Sequence, residues 1–60
     1  MTQYINNNGD TIETNGSCYT ITRNGITLHT DVSKWQSSAE TWIDNDIRAG
    51  YYEGFKKVEA

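Results

Sequence analysis

The amino-acid sequence predicts an α+β fold: an antiparallel β-meander of three to four short strands packed on one C-terminal α-helix. Asn-Gly pairs occur at Asn8-Gly9, Asn15-Gly16 and Asn24-Gly25, and this dipeptide is the strongest short-range signal for a β-hairpin turn. A capped segment with apolar residues at helical spacing follows them. We therefore predict strands within about 2–30, a helix at about 37–49 and an unassigned tail at 51–60, all in one small domain, 1–60.

The register of the strands follows from the turns. If each Asn-Gly pair is a two-residue loop, Ile5 lies opposite Ile12, Ile12 opposite Tyr19, and Ile21 opposite Leu28. Strict alternation then sorts the side chains into one apolar face and one polar face, as expected of a sheet that is covered on one side. The first turn has an alternative, a longer loop over 6–10. The predicted apolar face comprises Ile5, Ile12, Tyr19, Ile21, Ile26 and Leu28.

The helix prediction depends on a cap and on apolar spacing. Ser37 and Glu40 have the spacing of a capping box, and Trp42, Ile43 and Ile47 then follow at helical intervals. Val32 and Trp35 continue this spacing backwards, so an earlier start is an alternative. Gly50 is a suitable residue to end the helix after Ala49.

The tail allows two interpretations. Tyr51, Phe55 and Val58 extend the helical spacing past Gly50, which favours a helical continuation or a second short helix. Gly50 and Gly54 oppose it, because each costs about 1 kcal/mol relative to alanine inside a helix. The alternative is a returning strand or an extended arm that packs on the domain or on a partner.

Composition excludes several classes of function. Cys18 is the only cysteine and His29 the only histidine, so the chain has no internal disulfide and cannot supply a four-ligand zinc site; we expect no metal and no cofactor. A single cysteine is typical of a cytoplasmic protein. No apolar run is long enough for a membrane span. The net charge of −3 argues against nucleic acid as the partner.

Catalysis finds little support in the side chains. His29 is predicted beside Thr20 on the polar face, but activation of a hydroxyl needs an orienting acid and an oxyanion site as well. Glu13 is predicted opposite Cys18, where its charge would raise the pKa of the thiol. We therefore expect no enzyme.

Binding to another protein is the main functional expectation. A chain of 60 residues has a thin core, so self-association or a larger partner would add stability. The aromatic side chains also exceed what about six apolar sheet residues can cover, and exposed aromatic clusters typically mark interfaces. The carboxylates of the helix could contact a basic partner. The predicted partner-binding residues are Trp35, Tyr51, Tyr52, Phe55, Glu40, Asp44 and Asp46.

Two segments carry a resemblance. Tyr19-Thr20-Ile21-Thr22-Arg23-Asn24-Gly25, together with Ser37-Ser38-Ala39-Glu40-Thr41-Trp42-Ile43-Asp44, resembles small phage and prophage proteins of unassigned function, in which a hairpin leads into a helix. The resemblance covers about half of the chain. It implies a hairpin-plus-helix fold and a viral origin, with a place in the host cytoplasm, but no activity and no functional residues. Tiny phage proteins often bind and disable a host protein, which favours an inhibitor or modulator of a larger host protein. Alternatives are a homo-oligomeric assembly protein and a nucleic-acid-binding module.

Overall fold

The computed structural model describes residues 1–58 and confirms the α+β fold class. The elements are β1 (Thr2–Ile5), β2 (Thr11–Asn15), β3 (Cys18–Arg23), β4 (Ile26–Asp31), a 3₁₀ turn (Ser33–Trp35), α1 (Ala39–Ala49) and β5 (Lys56–Val58). Within the described residues, the five strands are antiparallel and form one sheet in the order β4-β3-β2-β1-β5. The helix lies in the middle of the chain because β5 follows it.

The hairpin between β3 and β4 has the predicted register. Ile21 pairs with Leu28 and Arg23 with Ile26, which leaves Asn24-Gly25 as a two-residue loop. Both loop residues have positive φ, 52° and 78°, as a type I′ turn requires. Asparagine tolerates this left-handed conformation better than other non-glycine residues, so the local sequence favours this turn.

The hairpin between β2 and β3 is displaced from its predicted register. Ile12 pairs with Ile21 instead of Tyr19, and the loop consists of Gly16 and Ser17. Gly16 has a φ of +62° at the first loop position, which is the glycine position of a type II′ turn. The shift moves each partner by two residues, so the faces are unchanged. Ile12 and Tyr19 are both buried on the same face.

The predicted two-residue loop between β1 and β2 is wrong, and the alternative longer loop is present. The Oδ1 of Asn6 accepts hydrogen bonds from the backbone N–H groups of Asn8 and Asp10, both at 3.0 Å, and thereby closes a loop over 6–10. The pairing becomes Tyr4 with Ile12, one residue away from the prediction. A one-residue slip exchanges the two faces of a strand. Ile5 is therefore exposed on the open face.

The helix begins one residue later than the capping box predicted. Ser38 is the N-cap, and its side chain accepts a hydrogen bond from the backbone N–H of Thr41 at 3.1 Å. Ala39 and Ile43 are fully buried and lie on the side of α1 that packs against β2 and β3. The core comprises Tyr4, Ile12, Tyr19, Ile21, Val32, Ala39, Ile43 and Phe55.

The favoured helical continuation of the tail is wrong. Gly50 and Gly54 have φ values of 94° and 90°, which end the helix and redirect the chain. The tail then returns to the sheet, where Lys56 pairs with Ile5 and Val58 with Gln3. The returning strand, the other interpretation of the sequence, is therefore the observed one.

Candidate functional site

The helix α1 presents two different flanks beside its buried stripe. Successive helical residues are separated by about 100°, so Asp44 and Asp46 point to opposite sides of Ile43. Glu40 and Asp44 contact Lys57 of β5, which identifies their flank as the one toward β1 and β5. The flank that carries Asp46 and Trp42 consequently faces β4.

Polar groups on the β1/β5 flank are satisfied within the chain. The Nζ of Lys57 lies 3.0 Å from Oε1 of Glu40 and 3.3 Å from Oδ2 of Asp44. The hydroxyl of Tyr4 donates a hydrogen bond of 2.7 Å to Oδ1 of Asp44. Burial, and then this bond to Asp44, raise the pKa of Tyr4 well above its ordinary value. Glu40 and Asp44, two of the predicted partner-binding residues, are thus paired within the chain, although their side chains stay 46% and 38% exposed.

Strand β4 leaves its apolar side chains uncovered. It is an edge strand, and Ile26 and Leu28 are 64% and 63% exposed although they lie on the face that carries the helix. A helix is about 10 Å wide and neighbouring strands are about 4.8 Å apart, so one helix covers roughly two strands. Because α1 lies over β2 and β3, the expectation that Ile26 and Leu28 join the core is wrong.

Three aromatic side chains and one carboxylate line a cleft beside the end of α1. The lining residues are Trp42, Asp46, Tyr51 and Tyr52, and the cleft has a volume of about 490 Å³. Trp35 extends this aromatic surface because its ring stacks on that of Trp42, with 4.9 Å between the ring centroids. We call the lined space the Trp42–Tyr52 cleft.

The predicted aromatic interface divides into a buried and an accessible part. Phe55 is buried in the core, where the Tyr52 ring packs edge-on against it with centroids 6.1 Å apart. Tyr51 is 76% exposed and Trp35 47% exposed. Tyr52 is half-buried, and burial raises the pKa of its phenol, with Tyr19 and Asp46 adding to the effect. The accessible rings are therefore those of the cleft and of Trp35.

Asp46 differs from the other two helix carboxylates. Both ion pairs found among residues 1–58 belong to Lys57, so Asp46 takes part in neither. Partial burial raises its pKa. It also lies in the last turn of α1, where the helix dipole places partial negative charge. An unpaired carboxylate at this end of a helix is unfavourable by itself.

The open face of the sheet has a different character. The Oγ1 of Thr20 lies 3.0 Å from Nδ1 of His29, and the strand register places Glu13 on the far side of Thr20. The hydroxyl therefore stands between the acid and the imidazole, whereas activation of a nucleophile needs the imidazole in the middle. Within the described part of the chain, no three His, Cys, Asp or Glu side chains come together as a metal site would require.

The sequence prediction did not include Trp42, Ile26 and Leu28 among the binding residues. Trp42 entered the prediction only as part of the apolar spacing of the helix, and it is partly buried against the core. The predicted number of strands could have revealed that Ile26 and Leu28 stay exposed. A single helix is too narrow to cover a sheet of four strands.

Comparisons with protein families, with curated proteins and with solved structures found no match to this chain. Among the helices of residues 1–58, none has the length and apolar character needed to cross a membrane.

Proposed function

We propose that this chain is a small, non-enzymatic protein-binding module that docks a larger protein through the surface beside β4. This surface, which we call the β4-side face, consists of Ile26, Leu28, Trp35 and the Trp42–Tyr52 cleft. The observation that carries the proposal is that two aliphatic side chains of the sheet and four aromatic rings stay at least partly accessible on the β4 side of one small fold.

The energetics favour a partner at this face. Burial of an exposed Ile or Leu side chain contributes about 1.5–3 kcal/mol. Tryptophan and tyrosine are the side chains most enriched at the energetic centres of protein interfaces. Ile26, Leu28 and Tyr51 are each more than half exposed, so each has apolar area left to bury. Several exposed large apolar side chains on one side of a small domain typically mark an interaction site.

The nature of the partner extends the proposal. The resemblance to small phage proteins supports a phage-encoded inhibitor or modulator that binds a host protein in the host cytoplasm. The small size of the chain supports a role that requires only one docking face.

Site-specific photo-cross-linking tests the proposal. A photoreactive phenylalanine analogue is placed at Tyr51 in one variant and at Glu13, on the open face of the sheet, in a matched control. Both positions are exposed, so both variants should fold. In extract from the natural source, we expect a discrete heteromeric product from position 51 and none from position 13. The same product from both positions, or no product from position 51, would contradict the proposal.

The edge of β4 supports a second candidate function, self-assembly. The register with β3 directs the backbone N–H and C=O groups of Thr27 and His29 away from the sheet. The segment from Ile26 to Thr30 contains no Lys, Arg, Asp or Glu that would oppose pairing with another strand. Two copies could therefore pair antiparallel through β4 and bury Ile26 and Leu28 against each other.

Light scattering with one edge variant decides this candidate. Thr27→Pro removes a backbone donor that points outward, so it leaves the ladder with β3 intact and blocks pairing at the edge. Self-assembly predicts a dimer for the wild-type chain and a folded monomer for Thr27→Pro. A wild-type chain that stays monomeric at high micromolar concentration would exclude it.

A further inference from the structure

We propose that the Trp42–Tyr52 cleft is a binding site for a positively charged side chain, a lysine, a methylated lysine or an arginine of the partner protein. The inference rests on the proposed protein-binding function and specifies the chemistry that the cleft recognises. Three features of the cleft favour a cation: the faces of aromatic rings, one carboxylate and the carboxyl end of a helix.

The aromatic rings supply the first feature. The face of an aromatic ring carries partial negative charge and attracts a cation within about 6 Å of the ring centroid, most strongly for tryptophan. The chain already uses this attraction beside the cleft. The guanidinium of Arg23 lies 5.5 Å from the centroid of Tyr52, and the ammonium of Lys34 lies 4.3 Å from that of Trp35. These contacts leave Tyr51, and the part of Trp42 that lines the cleft and is not stacked on Trp35, for an incoming cation.

Asp46 supplies the second feature. Its carboxylate lines the cleft together with the rings and belongs to neither ion pair formed within residues 1–58. Burial that raises its pKa shows that the charged form is poorly solvated where it stands. A cation in the cleft would restore the lost solvation with a charge-assisted hydrogen bond or ion pair.

The end of α1 supplies the third feature. The helix ends at Ala49, and Tyr51 and Tyr52 follow directly after the cap at Gly50. The carboxyl end of a helix carries roughly half a negative charge, so it stabilises a nearby cation. Carboxylate and helix end therefore act in the same direction.

The two flanks of α1 provide an internal comparison for this site. On the other flank, the ammonium of Lys57 lies between Glu40 and Asp44 and 5.8 Å from the centroid of the Tyr4 ring. The chain thus binds one of its own lysines with carboxylates and an aromatic ring. The Trp42–Tyr52 cleft repeats this combination, and the cation would come from outside.

The experiment is an NMR titration of the whole chain with three short peptides that differ at one lysine, which is unmodified, trimethylated or acetylated. We expect the two charged peptides to shift the indole N–H of Trp42 and the amides of Tyr51 and Tyr52. We expect the acetylated peptide, which is neutral at that side chain, to bind at least roughly tenfold more weakly, since tenfold corresponds to about 1.4 kcal/mol.

Two variants test the carboxylate. Asp46→Asn keeps the shape of the side chain and should lower the affinity for the charged peptides roughly tenfold. Glu13→Gln removes the same charge on the open face and should leave the affinity unchanged. Equal binding of charged and acetylated peptides, shifts that lie away from the cleft, or no shifts at all would overturn the cation site.

The outcomes keep the two proposals apart. A failed titration together with a cross-linked partner at position 51 would reject the cation site and retain the protein-binding function. A missing cross-link would reject the protein-binding function whatever the peptides do.

Discussion

The two flanks of α1 use similar side chains in opposite ways. Toward β1 and β5, two carboxylates pair with Lys57, which returns to the sheet with the tail, and one of them also accepts a hydrogen bond from Tyr4. Toward β4, a carboxylate and aromatic rings line an open cleft, and the neighbouring strand exposes its apolar side chains. The chain therefore pairs the polar groups on the side of the helix toward β1 and β5, which we call the closed side. On the side toward β4, which we call the open side, a carboxylate and aromatic rings remain accessible to a partner.

The tail creates this asymmetry. A single helix is too narrow to cover a sheet of this width, so additional chain is needed on each side of it. Residues after Gly54 supply it toward β1, where Lys57 of β5 pairs with two carboxylates of the helix. Toward β4, Trp35 of the 3₁₀ turn stacks on Trp42 but leaves the apolar side chains of β4 exposed. The β4-side face therefore stays uncovered because the tail returns on the opposite side of the helix.

The largest expected effect comes from a change on the closed side. Tyr4→Ala removes a fully buried ring and should cost about 3–5 kcal/mol, which is comparable to the whole unfolding free energy of a domain this small. We expect the variant to be largely unfolded by circular dichroism at 25 °C. The matched change on the open side, Leu28→Ala, should alter stability by less than about 0.5 kcal/mol. Comparable losses for both variants would contradict the distinction between the two sides.

A smaller effect is expected when only the hydrogen bond between Tyr4 and Asp44 is removed. Tyr4→Phe keeps the ring and removes the hydroxyl that donates to Asp44. We expect a loss of about 1–2 kcal/mol in urea unfolding, since the acceptor is charged but still contacts Lys57. An unchanged urea midpoint would show that the bond adds nothing to the closed side.

The smallest expected effect is on the open side, where a substitution should increase the stability of the fold instead of lowering it. The pKa of Asp46 is raised by burial, so the folded chain holds this proton more tightly than the unfolded chain. Its contribution to stability is therefore present at low pH and is lost as the pH rises through the raised pKa. Asp46→Asn should slightly raise the melting temperature at pH 7, and the difference from wild type should vanish below the ordinary pKa of 3.8. A lower melting temperature at pH 7 would mean that the chain itself stabilises the charge.

Much of the fold is readable from the sequence wherever the determinants are local. Asn24 and Gly25 both accept positive φ, so they set the register of β3 and β4 correctly. The register of the first hairpin was mispredicted because the side chain of Asn6 closes a longer loop, which the Asn-Gly rule does not consider. The longer loop accompanies the register in which Tyr4, and not Ile5, enters the core.

The candidate site was predictable only in part. The surplus of aromatic side chains indicates an exposed surface, and Tyr51 and Tyr52 do lie beside Asp46 at one cleft. The engagement of Asp44 and Glu40 was not predictable, because Lys57 lies 13 and 17 residues away and reaches them only through the pairing of β5 with β1. The apolar spacing of the helix predicts only that Glu40, Asp44 and Asp46 lie outside its buried stripe, and it does not distinguish among them.

The most direct test of the account compares Asp46→Asn with Asp44→Asn in the titration with the trimethyl-lysine peptide. The two variants lose the same charge, on the same helix, two residues apart. We predict that Asp46→Asn weakens binding roughly tenfold, whereas Asp44→Asn, whose carboxylate already contacts Lys57, leaves it within about twofold of wild type. Equal losses in the two variants, or a larger loss for Asp44→Asn, would contradict the claim that only the flank toward β4 is available to a partner.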